Sequence, residues 1–267
     1  MSATATGTAD GAVDHVLAAR GGAPGGLGPF PPGLAPATEA EGYAIARRVA
    51  ARLGAVPPAG FKVGATGAAM RVHLGVHEPV GGFVAARDLR DAFRLADFRR
   101  PGAECEVAVR LAADLPPGEH GRDALAAAVG AVLPAMELVD DRYPAGAAAL
   151  GVPALAADGM FHGGGTLGPE TADWRGLDLA ALRGRLWVDG RLRGEGLGSE
   201  LMGHPMEVLR WLAASPLARA FGGLRAGQVV LLGSVCPPAW LDGGGPTPPR
   251  EVRVAFDGLG EVRTRLD

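Results

Sequence analysis

The chain has 267 residues, 48% of them hydrophobic, and a net charge of −3. That length can bury a large core in one main domain and leaves room for a smaller appendage. Its arginines are spread along the chain, which argues against nucleic acid or an anionic membrane as partner, and no segment approaches the ~20 uninterrupted apolar residues of a membrane span. Two cysteines far apart, Cys105 and Cys236, make no disulfide framework. With no basic segment leading into an apolar run at the N-terminus, the chain reads as a soluble cytoplasmic protein.

Residues 1–9 are small and polar. Val13, Val16 and Leu17 recur at helical spacing and predict a helix over 10–20. Residues 21–37 are rich in Gly and Pro and read as a loop. A second helix is predicted over 38–53. Thr38 with Glu41 three residues on resembles a capping box, and Tyr43, Ala44, Ile45, Val49 and Leu53 give an apolar stripe. Val56-Pro-Pro-Ala-Gly60 marks a boundary. Residues 1–59 are therefore expected to form a small helical subdomain and residues 60–267 a β-rich catalytic core. In that core strands are predicted at 61–63, 104–111, 135–139, 185–188, 229–232 and 251–256, with a hairpin turn at Asp189-Gly190. Helices are predicted at 122–132, 178–183 and 205–214. The glycine runs 163–165 and 243–245 read as loops, because neither has the strand-to-helix setting of a phosphate loop. Many strands with few interleaved helices indicate an all-β or β-rich α+β fold, not a doubly wound sheet.

The chain has one lysine, Lys62, against twenty-five arginines, and no asparagine. Such a bias looks like nucleotide composition, since Lys and Asn codons are AT-rich. A lysine that survives it is one needed as lysine. Arginine stays protonated at any working pH, whereas a partly buried lysine can give up its proton and serve as general acid or base. Lys62 lies in Gly60-Phe-Lys-Val-Gly64, an apolar, glycine-flanked run that suits burial.

Glu104-Cys105-Glu106 opens a strand. Alternation puts both carboxylates on one face and Cys105 on the other. Glu137 lies inside another apolar run, Leu133-Pro-Ala-Met-Glu137-Leu-Val139, where a carboxylate is costly unless paired. Three carboxylates without a matching set of His or Cys suggest a hard cation with oxygen ligands, Mg²⁺ or Mn²⁺. On pattern alone the alternative stands: Glu104 and Glu106 on an exposed edge strand, with Glu137 paired to an arginine.

Several motifs then follow in order: Gly60-Phe-Lys-Val-Gly-Ala-Thr66, Leu74-Gly-Val-His-Glu-Pro79, Glu104-x-Glu106, Leu133-Pro-Ala-Met-Glu137 continuing to Asp140-Asp-Arg142, Gly198-Ser-Glu-Leu-Met-Gly-His-Pro205 and Leu224-Arg-Ala-Gly-Gln-Val-Val230. Together they resemble the fumarylacetoacetate hydrolase superfamily, in its branch of 2-oxopent-4-enoate hydratases and 4-oxalocrotonate decarboxylases. The resemblance covers residues ~40 to 264, each motif being weak alone and specific in joint order. It implies a mixed β-roll core after a small helical region. It also implies metal carboxylates at Glu104, Glu106 and Glu137, the catalytic lysine at Lys62, small 2-oxo acids or their 2-hydroxydienoate enols as substrates, an enolate whose charge the cation stabilises, and a homodimer or higher oligomer.

Departures from the family pattern shape the expected chemistry. The hydratases place an aspartate after the proline of the Leu-Gly-Val motif, and this chain has Val80 there. His77, Glu78 or Asp158 are the candidates to supply the missing proton-transfer group. Where the family shows Asp-Asn-x-Ser, this chain reads Asp158-Gly-Met-Phe161, which exchanges polar pocket groups for an aromatic and suggests a larger or more apolar substrate. Arg142, Phe161, His162 and Ser234 are candidates for substrate binding, with Arg142 alternatively pairing with Glu137. His204 reads as a helix cap. The implied function is a metal-dependent lyase, decarboxylase or hydratase. The alternatives are a C–C hydrolase of the same superfamily, which lacks support in a His–Glu pair before Lys62, and a non-catalytic relative.

Overall fold

The computed structural model describes residues 3–22, 25–241 and 250–267. The glycine run at 243–245 lies outside them. Two helices come first, α1 (Ala3–Arg20) and α2 (Glu39–Arg52). They lead to β1 (Gly60–Gly64), α3 (Ala68–Leu74), β2 (Val80–Val84) and β3 (Ala92–Phe93). The central pair is β4 (Pro101–Leu111) and β5 (Val129–Asp140), linked through α4 (Arg122–Ala128). Then come α5 (Ala147–Leu150), α6 (Val152–Asp158), β6 (His162–Leu167), β7 (Arg183–Val188) and β8 (Arg191–Leu197). The chain closes with α7 (Pro205–Ala214), α8 (Pro216–Phe221), β9 (Val229–Ser234), β10 (Ala239–Trp240), β11 (Arg250–Phe256) and β12 (Gly260–Leu266). None of the described helices is long and apolar enough to cross a membrane.

The strands form two sheets. The larger runs β2-β1-β9-β4-β5-β6, with β10 beside the start of β4, and the smaller runs β3-β12-β11-β7-β8. Only β1–β9 and β12–β3 pair in parallel among the described ladders. Lys62 on β1 and Glu137 on β5 lie three strands apart in the larger sheet. In a flat sheet that separation is about 14 Å between strand axes, yet Lys62 Nζ stands 3.4 Å from Glu137 Oε1. The sheet is therefore curled, and the side chains on its concave face converge.

Local chemistry explains the elements. Thr38 caps α2 by accepting from the Glu41 amide at 3.2 Å. The reciprocal half of the expected box is displaced by one residue: the Glu41 carboxylate accepts from the Ala37 amide at 2.7 Å. His204 caps α7, its Nδ1 accepting from the Met206 amide at 3.1 Å. Gly42 lets α2 lie directly on α6, because a Cβ there would meet the Pro153 carbonyl oxygen at 2.2 Å. Tyr43 Oη accepts from the Gly81 amide at 3.0 Å and fastens α2 to β2. One buried cluster joins Val16 of α1, Tyr43 of α2, Phe61 of β1, Leu186 of β7 and Val252 of β11.

Three expectations are corrected. The helix predicted at 122–132 ends at Ala128, where the long strand β5 begins its ladder with β4. The helix predicted at 178–183 is a turn, in which Asp178 Oδ1 accepts from the Ala180 and Ala181 amides, a local bond that competes with helix. The glycines at 163–165 lie in strand β6, not a loop. A Cβ at Gly163 would meet the Leu138 carbonyl oxygen at 2.8 Å, and one at Gly164 the Phe93 ring at 2.5 Å. Those glycines are there because neighbours occupy the space.

Candidate metal centre and active site

Register brings the three carboxylates together. Glu104 on β4 is directly opposite Glu137 on β5, a position where side chains stand ~5 Å apart. Glu106 lies two residues along the same face. One oxygen from each lies within 4.8 Å of the others, and Glu106 and Glu137 are fully buried. The expectation that Cys105 points the other way holds: it is a free thiol in the core.

Electrostatics leave the trio short of positive charge. Burial, followed by the charge of Glu137, pushes Glu104 up to about 7. Burial and then its two acidic neighbours push Glu106 well above the usual carboxylate range. Burial alone would raise Glu137 as well, but Lys62 and His162 outweigh it and hold that carboxyl below its ordinary value. Glu106 Oε1 and Glu137 Oε2 are buried without a hydrogen-bond partner. Buried carboxylate oxygens left unpaired are costly. Convergent oxygens of this kind fit a hard divalent cation.

Each member is held in place. The Gly233 amide donates to Glu106 Oε2 at 2.9 Å, from a glycine at φ 99° with no room for a side chain beside Thr66. His162 Nδ1 faces Glu137 Oε1 at 2.8 Å. Asp88 Oδ2 is 3.6 Å from His162 Nε2, beyond hydrogen-bond distance, so it acts on the ring through charge. Burial pulls His162 down, but the two carboxylates outweigh it and leave the imidazole above its ordinary value.

Lys62 is 2% exposed. Its Nζ donates to the Met160 carbonyl at 2.6 Å as well as facing Glu137. That carbonyl is aimed by an unusual turn. Gly159, Met160 and Phe161 all have positive φ, at 78°, 50° and 65°, costly for the two non-glycine residues. The turn is fixed from behind. Asp158 accepts from Arg142 Nε at 2.9 Å and from Tyr143 Oη at 2.6 Å. Tyr143 Oη accepts from the Phe161 amide at 2.9 Å, and Arg142 Nη2 donates to the His162 carbonyl at 2.9 Å. Burial alone would lower the Arg142 guanidinium, but Asp158 outweighs it and keeps it above its ordinary value. Gly82 allows the close approach of β2, since a Cβ there would meet Gly159 Cα at 2.7 Å.

In front of Lys62 and Glu104 lies a cavity of about 680 Å³, lined mainly by apolar side chains, Phe161 among them. The candidate site residues thus divide. Lys62, Glu104 and Phe161 face the cavity, with Glu106 and Glu137 behind Glu104 and Lys62. Arg142 and Asp158, expected at the substrate and at proton transfer, are instead buried against each other and off the cavity wall. Arg142 does not pair with Glu137; His162 takes that place. His162 is off the cavity wall too. Ser234 borders a smaller adjoining cleft, its Oγ accepting from the Cys105 amide at 3.0 Å and donating to the Cys236 carbonyl at 2.7 Å. Glu78 and His77 are exposed before β2 and do not line the cavity. Val80 is fully buried opposite Gly64. Sequence reasoning missed Tyr143, Asp88 and the Met160 carbonyl. Only Tyr143 left a trace, next to the Asp-Asp-Arg motif.

Residues 81–267 match the family described as fumarylacetoacetate (FAA) hydrolase C-terminal. A 2-hydroxyhexa-2,4-dienoate hydratase from Comamonas testosteroni is 35% identical over 185 residues, which are 67% of this chain and 68% of that protein. A 4-oxalocrotonate decarboxylase from Pseudomonas putida is 28% identical over 216 residues, 78% of this chain and 76% of that one. The solved 4-oxalocrotonate decarboxylase from Pseudomonas putida G7, complexed with magnesium and adipate, is alike with a TM-score of 0.80 and 22% identity, covering 98% of each chain.

Proposed function

Because the chain belongs to the fumarylacetoacetate hydrolase family, we propose that it is a divalent-metal-dependent lyase acting on a small 2-oxo acid or its 2-hydroxydienoate enol, with decarboxylation favoured over hydration. The observation that carries this is the convergence of three carboxylates, two of them with orphaned oxygens, beside the chain's single lysine at the end of a cavity. Glu104, Glu106 and Glu137 would hold the ion, with Mg²⁺ as its identity and Mn²⁺ as a substitute. Bound there, it would supply Lewis-acid stabilisation of the negative charge that develops on the substrate.

The protein's own groups do the rest. The Met160 carbonyl accepts one proton of the Lys62 ammonium, and Glu137 holds the group by its charge at 3.4 Å. A proton not engaged by the Met160 carbonyl can be delivered to a substrate carbon as an anion forms in the cavity. His162 keeps Glu137 oriented, and Gly233 keeps Glu106 oriented. Asp158, Arg142 and Tyr143 position the turn that aims the Met160 carbonyl.

Hydration requires two placed acid–base groups, one to protonate carbon and one to activate water. Loss of carbon dioxide from a vinylogous β-keto acid needs an electron sink and one proton donor. The candidate replacements for the missing aspartate do not support hydration: Glu78 and His77 are exposed, Asp158 is committed to Arg142 and Tyr143, and position 80 is valine. Hydration is the second reading, because the Comamonas relative is a hydratase. The test offers the purified protein, with Mg²⁺, a 4-oxalocrotonate-type diacid and separately 2-hydroxypenta-2,4-dienoate. Carbon dioxide release from the diacid, abolished in Lys62→Ala, is the expected result. Conversion of the dienoate to a 4-hydroxy-2-oxo acid, without carbon dioxide from the diacid, replaces this reading with hydratase. The proposal includes a cytoplasmic setting, supported by the two free thiols, and assembly as a homodimer. A monomer by light scattering at micromolar concentration contradicts the latter.

A further inference from the structure

A second cleft, of about 180 Å³, shares no lining residue with the main cavity. It lies where the end of α1 meets the 87–88 and 97–98 segments, the end of β5 and the start of β6. Arg20, the last residue of α1, lines it. The Arg20 guanidinium lies over the Phe83 ring, 4.9 Å from its centroid. Its Nη1 is buried, and among the described residues it has no hydrogen-bond partner. Taking a charged nitrogen out of water without a partner is costly. Burial, followed by the charge of Arg142, pulls the Arg20 guanidinium below its ordinary value.

The other charged groups of the cleft are occupied elsewhere. Asp140 accepts from the Arg99 and Arg100 amides, both at 2.8 Å, and lies 3.5 Å from Arg142 Nη1. Arg142 in turn is bound to Asp158 at 2.9 Å. Asp97 pairs with Arg94 at 3.1 Å. Asp88 accepts from the Ala85 amide at 3.1 Å, with the exposed Arg87 3.8 Å from its other oxygen. Each carboxylate of the wall is thus matched by a cation or by amides, and the Arg20 charge is left over. His162, whose Nε2 also lacks a hydrogen-bond partner, lines the same cleft.

Water can accept a hydrogen bond from Nη1 but brings no charge to offset the guanidinium. A monovalent anion does both. Formate has three heavy atoms, and at no more than ~30 Å³ each it fills about half of the cleft; a halide needs less. A doubly charged anion would bring a second negative charge against Asp88 and Asp140 with no further cation to meet it.

We propose that this cleft binds one small monovalent anion, a halide or a short carboxylate, through Arg20. The anion would tie α1 to the turn that serves the catalytic lysine. Arg20 Nη1 reaches to Gly159, where a Cβ would stand 3.9 Å from it, and Gly159 precedes the Met160 carbonyl that accepts from Lys62. The site is separate from the substrate cavity, so its failure would leave the lyase reading intact.

The test is thermal unfolding of the Mg²⁺-loaded protein at constant ionic strength, with sodium gluconate exchanged for sodium chloride, bromide or formate. A saturable rise in melting temperature is expected, of about 2–4 °C at roughly five times the anion's Kd, and Arg20→Gln is expected to lose it. A rise with the two halides and none with formate identifies a halide site, and the reverse a carboxylate site. Crystals of the parent soaked in the most stabilising anion give a readout that needs no variant to fold: density for that anion at Arg20 Nη1 is the expected result. A melting temperature insensitive to all three anions, an equal rise in Arg20→Gln, or density for water alone at Nη1 overturns the site.

Discussion

Lys62 shows how much one residue can disclose. Its survival as the only lysine pointed to chemistry, and the structure buries it between a carboxylate and a carbonyl beside a cavity. Replacing it with methionine, which keeps the apolar stem, is expected to lower kcat by ~10²–10⁴ through loss of proton transfer, while bound metal measured by plasma emission stays constant. Parallel loss of metal would make Lys62 a structural partner of Glu137 only. The acidic trio was legible for a local reason: alternation along one strand fixes Glu104 and Glu106 on one face. Arg142 and Asp158 were misread because their partnership is a tertiary fact. Nothing in the local pattern says that an arginine and an aspartate sixteen residues apart meet across a turn. Breaking a buried pair by removing one charge costs ~3–5 kcal/mol. Asp158→Asn is expected to destabilise the protein by about that amount in urea unfolding and to reduce turnover, with metal stoichiometry retained. An unchanged unfolding midpoint would remove Asp158 from its role as anchor of the Met160 turn.

At the scale of elements, β1, β4, β5, β7, β9 and β11 were visible at least in part, whereas the glycine-bearing β2, β6 and β8 and the alternating β12 were not. Strand β5 was predicted over 135–139 and runs over Val129–Asp140, because Val129 to Leu133 can be read as helix or strand and only its ladder with β4 decides. Strand β6 was hidden by its glycines, which normally signal a loop. They pair with β5, placing Gly165 opposite Glu137, and their missing side chains make room for the Phe93 and Phe98 rings. Gly164→Ala is therefore an overpacking substitution, expected to cost ~1–3 kcal/mol in denaturant unfolding. A variant as stable as the parent would show that the Phe93 ring yields easily.

For the molecule as a whole, curling of the larger sheet brings the register-matched carboxylates together, and an ion held there would couple metal to stability. Glu104 sits at about 7 without metal, against 4.5 in the unfolded chain. The folded, metal-free protein therefore binds more protons than the unfolded chain across that window, and its stability falls as pH rises through it. His162, also raised, acts in the same direction above its ordinary value of 6.5. The melting temperature in chelator is expected to be lower at pH 8 than at pH 6, with Mg²⁺ restoring more at pH 8, since the ligands must be deprotonated to bind. A chelated protein that melts higher at pH 8 than at pH 6 would count against a trio dominated by burial. The most direct measurement of the central claim is a Mn²⁺ titration, followed by electron paramagnetic resonance, of the parent and of Glu106→Gln. One ion per chain in the parent, and loss of that ion in a variant with an unaltered circular dichroism spectrum, is the predicted result. Equal Mn²⁺ binding by the two proteins would contradict a metal centre at Glu104, Glu106 and Glu137.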